Sequence, residues 1–527
     1  MTDTPDDPVL SPRARAWILA ALAIVLGSSF PYLSRMMNAN ERPRVLQAIA
    51  WVDSGELAID GPAARGIPAG VDVSRSPVDG RLYPNKPPGA TVPAVVGYGA
   101  LRLVAAARGD APTLREATWV TRIAGGLLPA LVLAGFLIRR QPRAAPAVVV
   151  MFIATPVVAY SRLLFGHMLA AALLTIGLML VVDALAKPDA SRRAFAGGLL
   201  AAGAVTVEYG AAFGGLPLAV MVFSALRRPE ARSTAVSAMV GAALPIAVLA
   251  LYHDAVFGAP WSTPYHHVVD KGFAATHGRG LLGLSVPTGT SLYEHLLSPW
   301  GGALYWAPIP LAVFCLSAIR WRTLSPLSRL LTATFGVMLL FNLGLSQTGG
   351  WRVGPRYLVV AMPLLAVPLA EQWRTLVRSR LGGALVVGLV LWSVQVNFLA
   401  GNLFPHLVPS GNPLLDLLLP LGIGGYAPYS LLSPALGAVG GLVAVGIITL
   451  VLAAWAVLSL SWDDSRSVII AMVGGFVLSM AAFVGALGVA SAPDAKTNLK
   501  AVQGIWEPRA DAMVAHTVLE PLDLESP

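Results

Sequence analysis

The sequence predicts an all-α polytopic membrane protein of about thirteen transmembrane helices, with further helices lying against the membrane on one side. One observation is composition: of 527 residues, 56% are hydrophobic and only 12% charged, where soluble domains carry about a quarter charged residues. Mean hydropathy is +0.68. The other is patterning. Apolar blocks recur with short polar joints between them, many near the roughly 20 residues needed to cross an apolar core of about 30 Å.

Taken in order, the first block, 16–33, follows a polar stretch with no cleavage pattern and reads as an uncleaved first span. Block 90–106 is different. It starts beside Pro87-Pro88, contains Pro93, Gly97 and Gly99 and carries Arg102, which suits a helix in the interface rather than a crossing. The remaining blocks, 118–138, 146–163, 168–186, 195–208, 211–226, 234–253, 301–319, 329–345, 357–372, 381–399, 433–460 and 467–490, complete the thirteen. With 90–106 left out, the clusters Arg139/Arg140/Arg143, Lys187/Arg192/Arg193, Arg227/Arg228/Arg232, Arg320/Arg322/Arg329 and Arg374/Arg378/Arg380 fall on one side with Arg13 and Arg15. The positive-inside tendency makes that side cytoplasmic. The N-terminus is then inside and the C-terminus outside. Region 195–226 divides around Val207-Glu208-Tyr209-Gly210, because a single span would bury Glu208 and reverse every later loop. The expected organisation is a transmembrane domain over 1–490, with external loops at 34–117 and 254–300, and an external tail over 491–527.

The formal charge is +9, but no run of basic residues is interleaved with aromatics, so nucleic acid is not an expected partner. Cys315 is alone, so no intrachain disulfide or cysteine metal site is expected. P-loop, GxSxG, Rossmann and CxxC patterns are missing.

The side chains capable of chemistry gather in the expected external loops. Glu41, in NANERPR, stands just beyond the first span among Asn38, Asn40, Arg42 and Arg44; it could take a proton from a hydroxyl or serve as a helix cap with a local salt bridge. Lys86, in GRLYPNKPPG, sits where two prolines stiffen the chain and reads either as a phosphate ligand or as a snorkelling lysine. Arg122, one turn into the second span, calls for an anion or an acidic partner. His167 closes the Tyr160-Ser161-Arg162 to Gly166 turn, and Glu208 interrupts 195–226. The 254–300 loop holds His266, His267, Asp270, His277, Glu294 and His295 without HExxH or regular ligand spacing, so no metal is expected. SQTGGWRVGPRY places Trp351, Arg352 and Arg356 on a short glycine-rich turn. Guanidinium forks match phosphate oxygens, an indole can stack on a sugar, and two arginines in an external loop run against the positive-inside tendency, so a phosphate-and-sugar site is the expectation there.

In order of features, residues 16–260 resemble the integral-membrane glycosyltransferases of the GT-C fold, in the branch of the lipid A aminoarabinose transferases and protein O-mannosyltransferases. Asn40-Glu41 stands where that branch has an acidic pair, Lys86-Pro87-Pro88 matches its Lys-Pro-Pro or His-Pro-Pro step, and Arg122 matches its arginine entering the second span. The departure is Asn40 in place of the first acid, which leaves Glu41 as the carboxylate there.

The resemblance implies an enzyme that moves a hexosyl or pentosyl unit, with inversion, from a polyprenyl phosphate or diphosphate donor to a lipid, glycan or protein hydroxyl. The reaction would take place on the outer face of a bacterial cytoplasmic membrane. Glu41 would be the catalytic base, with Lys86, Arg122, Trp351, Arg352, Arg356, His167 and Glu208 binding donor and phosphate. No cofactor is expected, although a divalent cation is compatible. A transporter or flippase of lipid-linked saccharide is the alternative, but the paired halves common in transporters are not visible in the sequence.

Overall fold

The computed structural model describes residues 10–29, 38–67, 69–187, 190–277, 283–345, 350–407, 411–428, 430–461 and 465–490. The expected tail 491–527 and the start of the arginine turn, 346–349, lie outside them. Within these residues the chain is an all-α, multi-pass membrane protein whose only named strands form one two-stranded sheet.

Among the described residues, eight helices are long and apolar enough to cross a membrane. Seven coincide with expected spans. The other expected blocks are shorter or interrupted: Pro12–Gly27, Pro142–Ile153, Ser191–Val207, Ala211–Ala225, Pro308–Ile319, and the 3-10 turns Arg356–Val360 and Met362–Leu365 leading into Ala366–Leu376. Irregular backbone at membrane depth is tolerated only where protein or a wet cavity surrounds it. The buried turns around Arg162, His167 and Arg356 meet that condition.

The eighth helix, Pro88–Ala107, has 20 residues and a mean hydropathy of 1.5, enough for a crossing by length and composition. A side chain added at Gly125 would meet Ala90, and one at Gly97 would meet Val120 and Ala124. The helix therefore starts beside Gly125 and runs back along the Leu114–Arg122 stretch, away from Leu128–Arg140.

The division of 195–226 is visible in helix direction. Ser191–Val207 packs closely against Pro229–Phe257, with Gly198 on Ala238 and Gly241 on Phe195, and the Tyr209 hydroxyl meets His253 Nε2 at 2.7 Å. The two helices thus run in the same direction, and the Ala211–Ala225 segment between them must return. Glu208 sits in the reversal, in extended backbone at the end of the first helix. Glycines at the contacts let the backbones approach, the usual route to tight packing in membranes.

At this end of the bundle the first loop folds into a cap. The Arg42–Ser54 helix ends on Gly55 in the left-handed region, φ 71°. Strands β1 (Val73–Arg75) and β2 (Leu82–Pro84) form an antiparallel hairpin in which Val73 faces Pro84. The 254–300 loop clasps β1: Ser74 Oγ donates to Pro264 O at 2.6 Å, Ser76 Oγ to Val256 O at 2.6 Å, and Val269 N to Val73 O at 3.0 Å. Val45, Leu46, Ile49, Tyr98 and Leu114 form a small apolar core of their own under the cap.

Candidate active site

Glu41 is held at the entry to the Arg42–Ser54 helix by Asn38, whose side-chain oxygen accepts from the Asn40 and Glu41 amides at 2.8 and 3.2 Å. Arg122 ends a helix started by a Thr113/Glu116 capping box and followed by a π-helical turn over Ile123–Leu127. Arg122 grips Glu41 with two bonds, Nε to Oε1 at 2.8 Å and Nη2 to Oε2 at 2.7 Å. The Leu164 amide adds a third bond to Oε1 at 2.7 Å, and His406 Nε2 lies 3.7 Å from Oε2. Both Glu41 and Arg122 are fully buried. Burial pushes the Glu41 carboxyl up, but the Arg122 charge and hydrogen bonds, then His406 and the Leu164 amide, outweigh it and hold the group below its ordinary value. His406 is pushed down to about 3 by burial, against the pull of Glu41, and its Nδ1 bonds to the Asn38 amide. This departs from the expected carboxylate open to an incoming hydroxyl: both oxygens are engaged and neither partner reaches solvent.

A second constellation lies beyond this knot. Register sets Asp72, the residue before β1, against Asn85, the residue after β2. Asn85 N donates to Asp72 O at 3.0 Å, and Asn85 Nδ2 to Asp72 Oδ1 at 3.3 Å. Lys86 follows at once. Its Nζ stands 5.0 Å from the Tyr265 ring centroid, in the loop clasped to β1, and Gly89 packs so closely on Thr206 that a side chain there would strike the Thr206 carbonyl. Burial pushes the Asp72 carboxyl up, but Lys86, then Arg356, Asn85 and Arg44, hold it below its ordinary value. Burial likewise lowers Lys86, while Asp72, then Tyr265 and Tyr357, raise it by more. Arg356 donates to the Tyr357 hydroxyl at 2.5 Å, and its guanidinium lies over that ring at 4.6 Å.

Glu208 and Arg44 join the two constellations. Arg44 Nη2 reaches Glu208 Oε1 at 3.3 Å, while Nη1 donates to Leu164 O at 3.2 Å and to the Asn40 side chain. His167 Nδ1 lies 3.4 Å from the same Glu208 oxygen, and its ring sits between those of Tyr160 and Tyr357, with centroids 5.1 and 5.9 Å away. The turn before His167 needs glycine twice over: Gly166 has φ 85°, and a Cβ there would come 3.1 Å from Glu208 Oε1.

Arg352 is fully buried, and none of its three guanidinium nitrogens has a hydrogen-bond partner among the described residues. It lies over the Trp300 indole, 4.5 Å from the ring centroid. Trp351, expected to stack on a sugar, is half-buried in the chain beside Arg352. Arg352 is pushed down to about 10, by burial and then by Arg356, against the pull of Tyr160, Tyr357 and Glu294.

The fold therefore brings Lys86, Arg356, His167 and Glu208 to one place, with Arg352 close enough to feel the Arg356 charge, and sets Glu41 and Arg122 apart as a closed pair. Asp72, Tyr265, Tyr357 and Trp300 were not singled out from the sequence. The available signal for Asp72 was its place opposite Asn85, had the hairpin been read from the turn-forming Ser76-Pro77-Val78-Asp79-Gly80. Among the described residues, no group of three or more His, Cys, Asp or Glu side chains is placed to hold a metal ion.

No family model and no curated protein matches the sequence. Among solved structures the chain is similar to the archaeal oligosaccharyltransferase AglB from Archaeoglobus fulgidus, in complex with an inhibitory peptide and a dolichol-phosphate. Identity is 14%, coverage is 78% of this chain and 58% of that one, and the TM-score is 0.42. The chain thus spans less than two thirds of that neighbour's length, and a likeness at this level leaves the site to be read from its own residues.

Proposed function

We propose that the chain transfers a sugar from a polyprenyl-phosphate-linked donor to an acceptor hydroxyl, at the charged cluster between the first-loop cap and the helix ends. The observation that supports this most is the surplus of cations: Lys86, Arg44, Arg352 and Arg356 act on Asp72 and Glu208 or on one another, and only Arg44 is in ion-pair contact with either carboxylate among the described residues. Such a site attracts an anion, and fixed cations assist departure of a phosphate because they stabilise the charge that develops on it.

In the proposed reaction the donor phosphate lies between Lys86 and Arg356. The bond from the anomeric carbon to the phosphate oxygen breaks, its electron pair staying on the oxygen, while the acceptor oxygen forms the new bond and gives up its proton. Tyr265 and Tyr357 line the phosphate position, and the prenyl tail runs out along the apolar face of the Pro88–Ala107 helix, where Val92, Val96 and Leu103 are exposed. Glu41 and Arg122 hold the loops that shape the site. The outer face of a bacterial cytoplasmic membrane, and a lipid, glycan or protein acceptor, belong to the same proposal.

The test is reconstitution of the full chain in vesicles with a synthetic polyprenyl-phosphate sugar. Cleavage of the sugar–phosphate bond, lost in Lys86→Ala and Arg356→Ala, is the expected result. Movement of the intact lipid-linked sugar across the vesicle with no cleavage would favour the transporter and sink the transferase.

A further inference from the structure

We infer that Asp72 is the base that takes the proton of the acceptor hydroxyl, a deepening that rests on the transfer reading above. A base needs a carboxylate oxygen free to meet a hydroxyl, within hydrogen-bond reach of the reacting atoms. The most enclosed carboxylate side chains near the cap are those of Glu41, Asp53, Asp72 and Glu208; the half-buried Glu56 and Asp60 are taken up by Arg81 and the Leu82 amide. Glu41 has both oxygens bonded to Arg122 and one also to the Leu164 amide. Asp53 is closed in by Arg102 at 3.1 Å, Arg65 at 3.5 Å and the Tyr98 hydroxyl at 3.2 Å. Glu208 carries Arg44 at 3.3 Å and His167 at 3.4 Å on one oxygen. Glu208 keeps its other oxygen but is already ion-paired, whereas among the described residues the Asp72 carboxylate has one hydrogen bond, from the neutral Asn85 at 3.3 Å, and makes no ion-pair contact.

The surroundings suit the task. Asp72 lies on the same hairpin end as Lys86, so base and phosphate ligand are fixed to each other by the pairing of β1 and β2 rather than by a flexible loop. The groups facing it are Lys86 from the β2 side, Arg356 from the arginine turn, Arg44 from the Arg42–Ser54 helix and the Asn85 amide. These groups hold the carboxylate below its ordinary value and so make it a weaker base. When an anionic phosphate docks on Lys86 and Arg356 it offsets their charge, and the proton affinity of Asp72 rises. The base is thus strengthened by arrival of the donor. The step balances: the acceptor O–H proton goes to Asp72 Oδ, the acceptor oxygen bonds to the anomeric carbon, and the lipid phosphate leaves with the electron pair.

The experiment uses the full chain in lipid nanodiscs, a synthetic polyprenyl-phosphate sugar and glycerol as acceptor, with D72N, D72A and E41Q beside wild type. Expected for D72N is a loss of transfer of about 10²–10⁴-fold with donor binding retained, which also shows that the site is folded. Azide attacks without surrendering a proton, so it should restore turnover in D72A as the glycosyl azide, a rescue that a structural role would not show. In wild type the acid limb of kcat, which reports the donor complex, should lie at higher pH than that of kcat/KM, which reports the free enzyme. Full transfer by D72N, or azide rescue of E41Q and not of D72A, would overturn the assignment. A wild-type protein that cleaves the donor with neither glycerol nor azide would instead overturn the transfer reading itself, and the role of Asp72 with it.

Discussion

Two charged regions less than one helix apart are built on opposite principles. At Glu41 and Arg122 every charge is matched: a guanidinium fork meets both carboxylate oxygens, a backbone amide completes the set, and His406 is kept neutral. Around Lys86 the charges are left unmatched, with cations in excess and Asp72 held short of contact. A buried ion pair with every bond made specifies geometry and offers nothing to a ligand. Charge left over in a buried place is costly unless something arrives to meet it. The first region fastens the cap to the helix ends, and the second receives.

The contrast can be broken at the matched end with the largest effect. Removing one partner, as in Glu41→Ala, leaves Arg122 buried without its anion and should lower stability by about 3–5 kcal/mol; chemical unfolding in detergent measures it, and a Glu41→Ala/Arg122→Met double change should recover part of the loss. The carboxyl of Glu41 lies below its ordinary value in the folded chain. Its contribution is therefore complete above the unfolded value and is lost as pH falls through the folded one. Acid unfolding of Glu41→Gln should lack that component.

At the unmatched end, Lys86→Ala or Arg356→Ala should cost about 10²–10³-fold in cleavage of a lipid-phosphate sugar and leave thermal stability nearly unchanged, as donor turnover and melting followed together would show. Gly166→Ala tests the seam between the regions: a non-glycine residue at φ 85° loses roughly 1–2 kcal/mol, and it also presses on Glu208. The smallest effect is expected for Arg352→Met, which keeps the contact with Trp300 but removes a buried charge that has no hydrogen-bond partner among the described residues. Melting temperature should rise slightly while affinity for inorganic pyrophosphate, read by calorimetry, falls; unchanged affinity would separate Arg352 from the anion site.

Seven long spans were legible in the sequence because they depend on local composition. The break at Glu208 was legible too, since charge at membrane depth forces a choice. The fate of Glu41 was not. Arg122 called equally for an anion or an acidic partner, and nothing in the chain says that a residue 81 positions earlier fills the role. Asp72 was hidden for a similar reason: in Gly70-Val71-Asp72-Val73 it looks like any loop acid, and only the pairing of Val73 with Pro84 carries it to Lys86. Trp300 was hidden because nothing along the chain says that its ring will lie under the Arg352 guanidinium, 52 positions later.

The crowding of Gly166 against Glu208 has a consequence for descent. A lineage that acquires a side chain at position 166 must shorten or displace the acid at 208, and with it loosen Arg44 and His167. The two positions are therefore expected to drift as a pair. Wherever distant cousins of this chain are sought, glycine at one and glutamate at the other form a joint signature that neither residue supplies by itself.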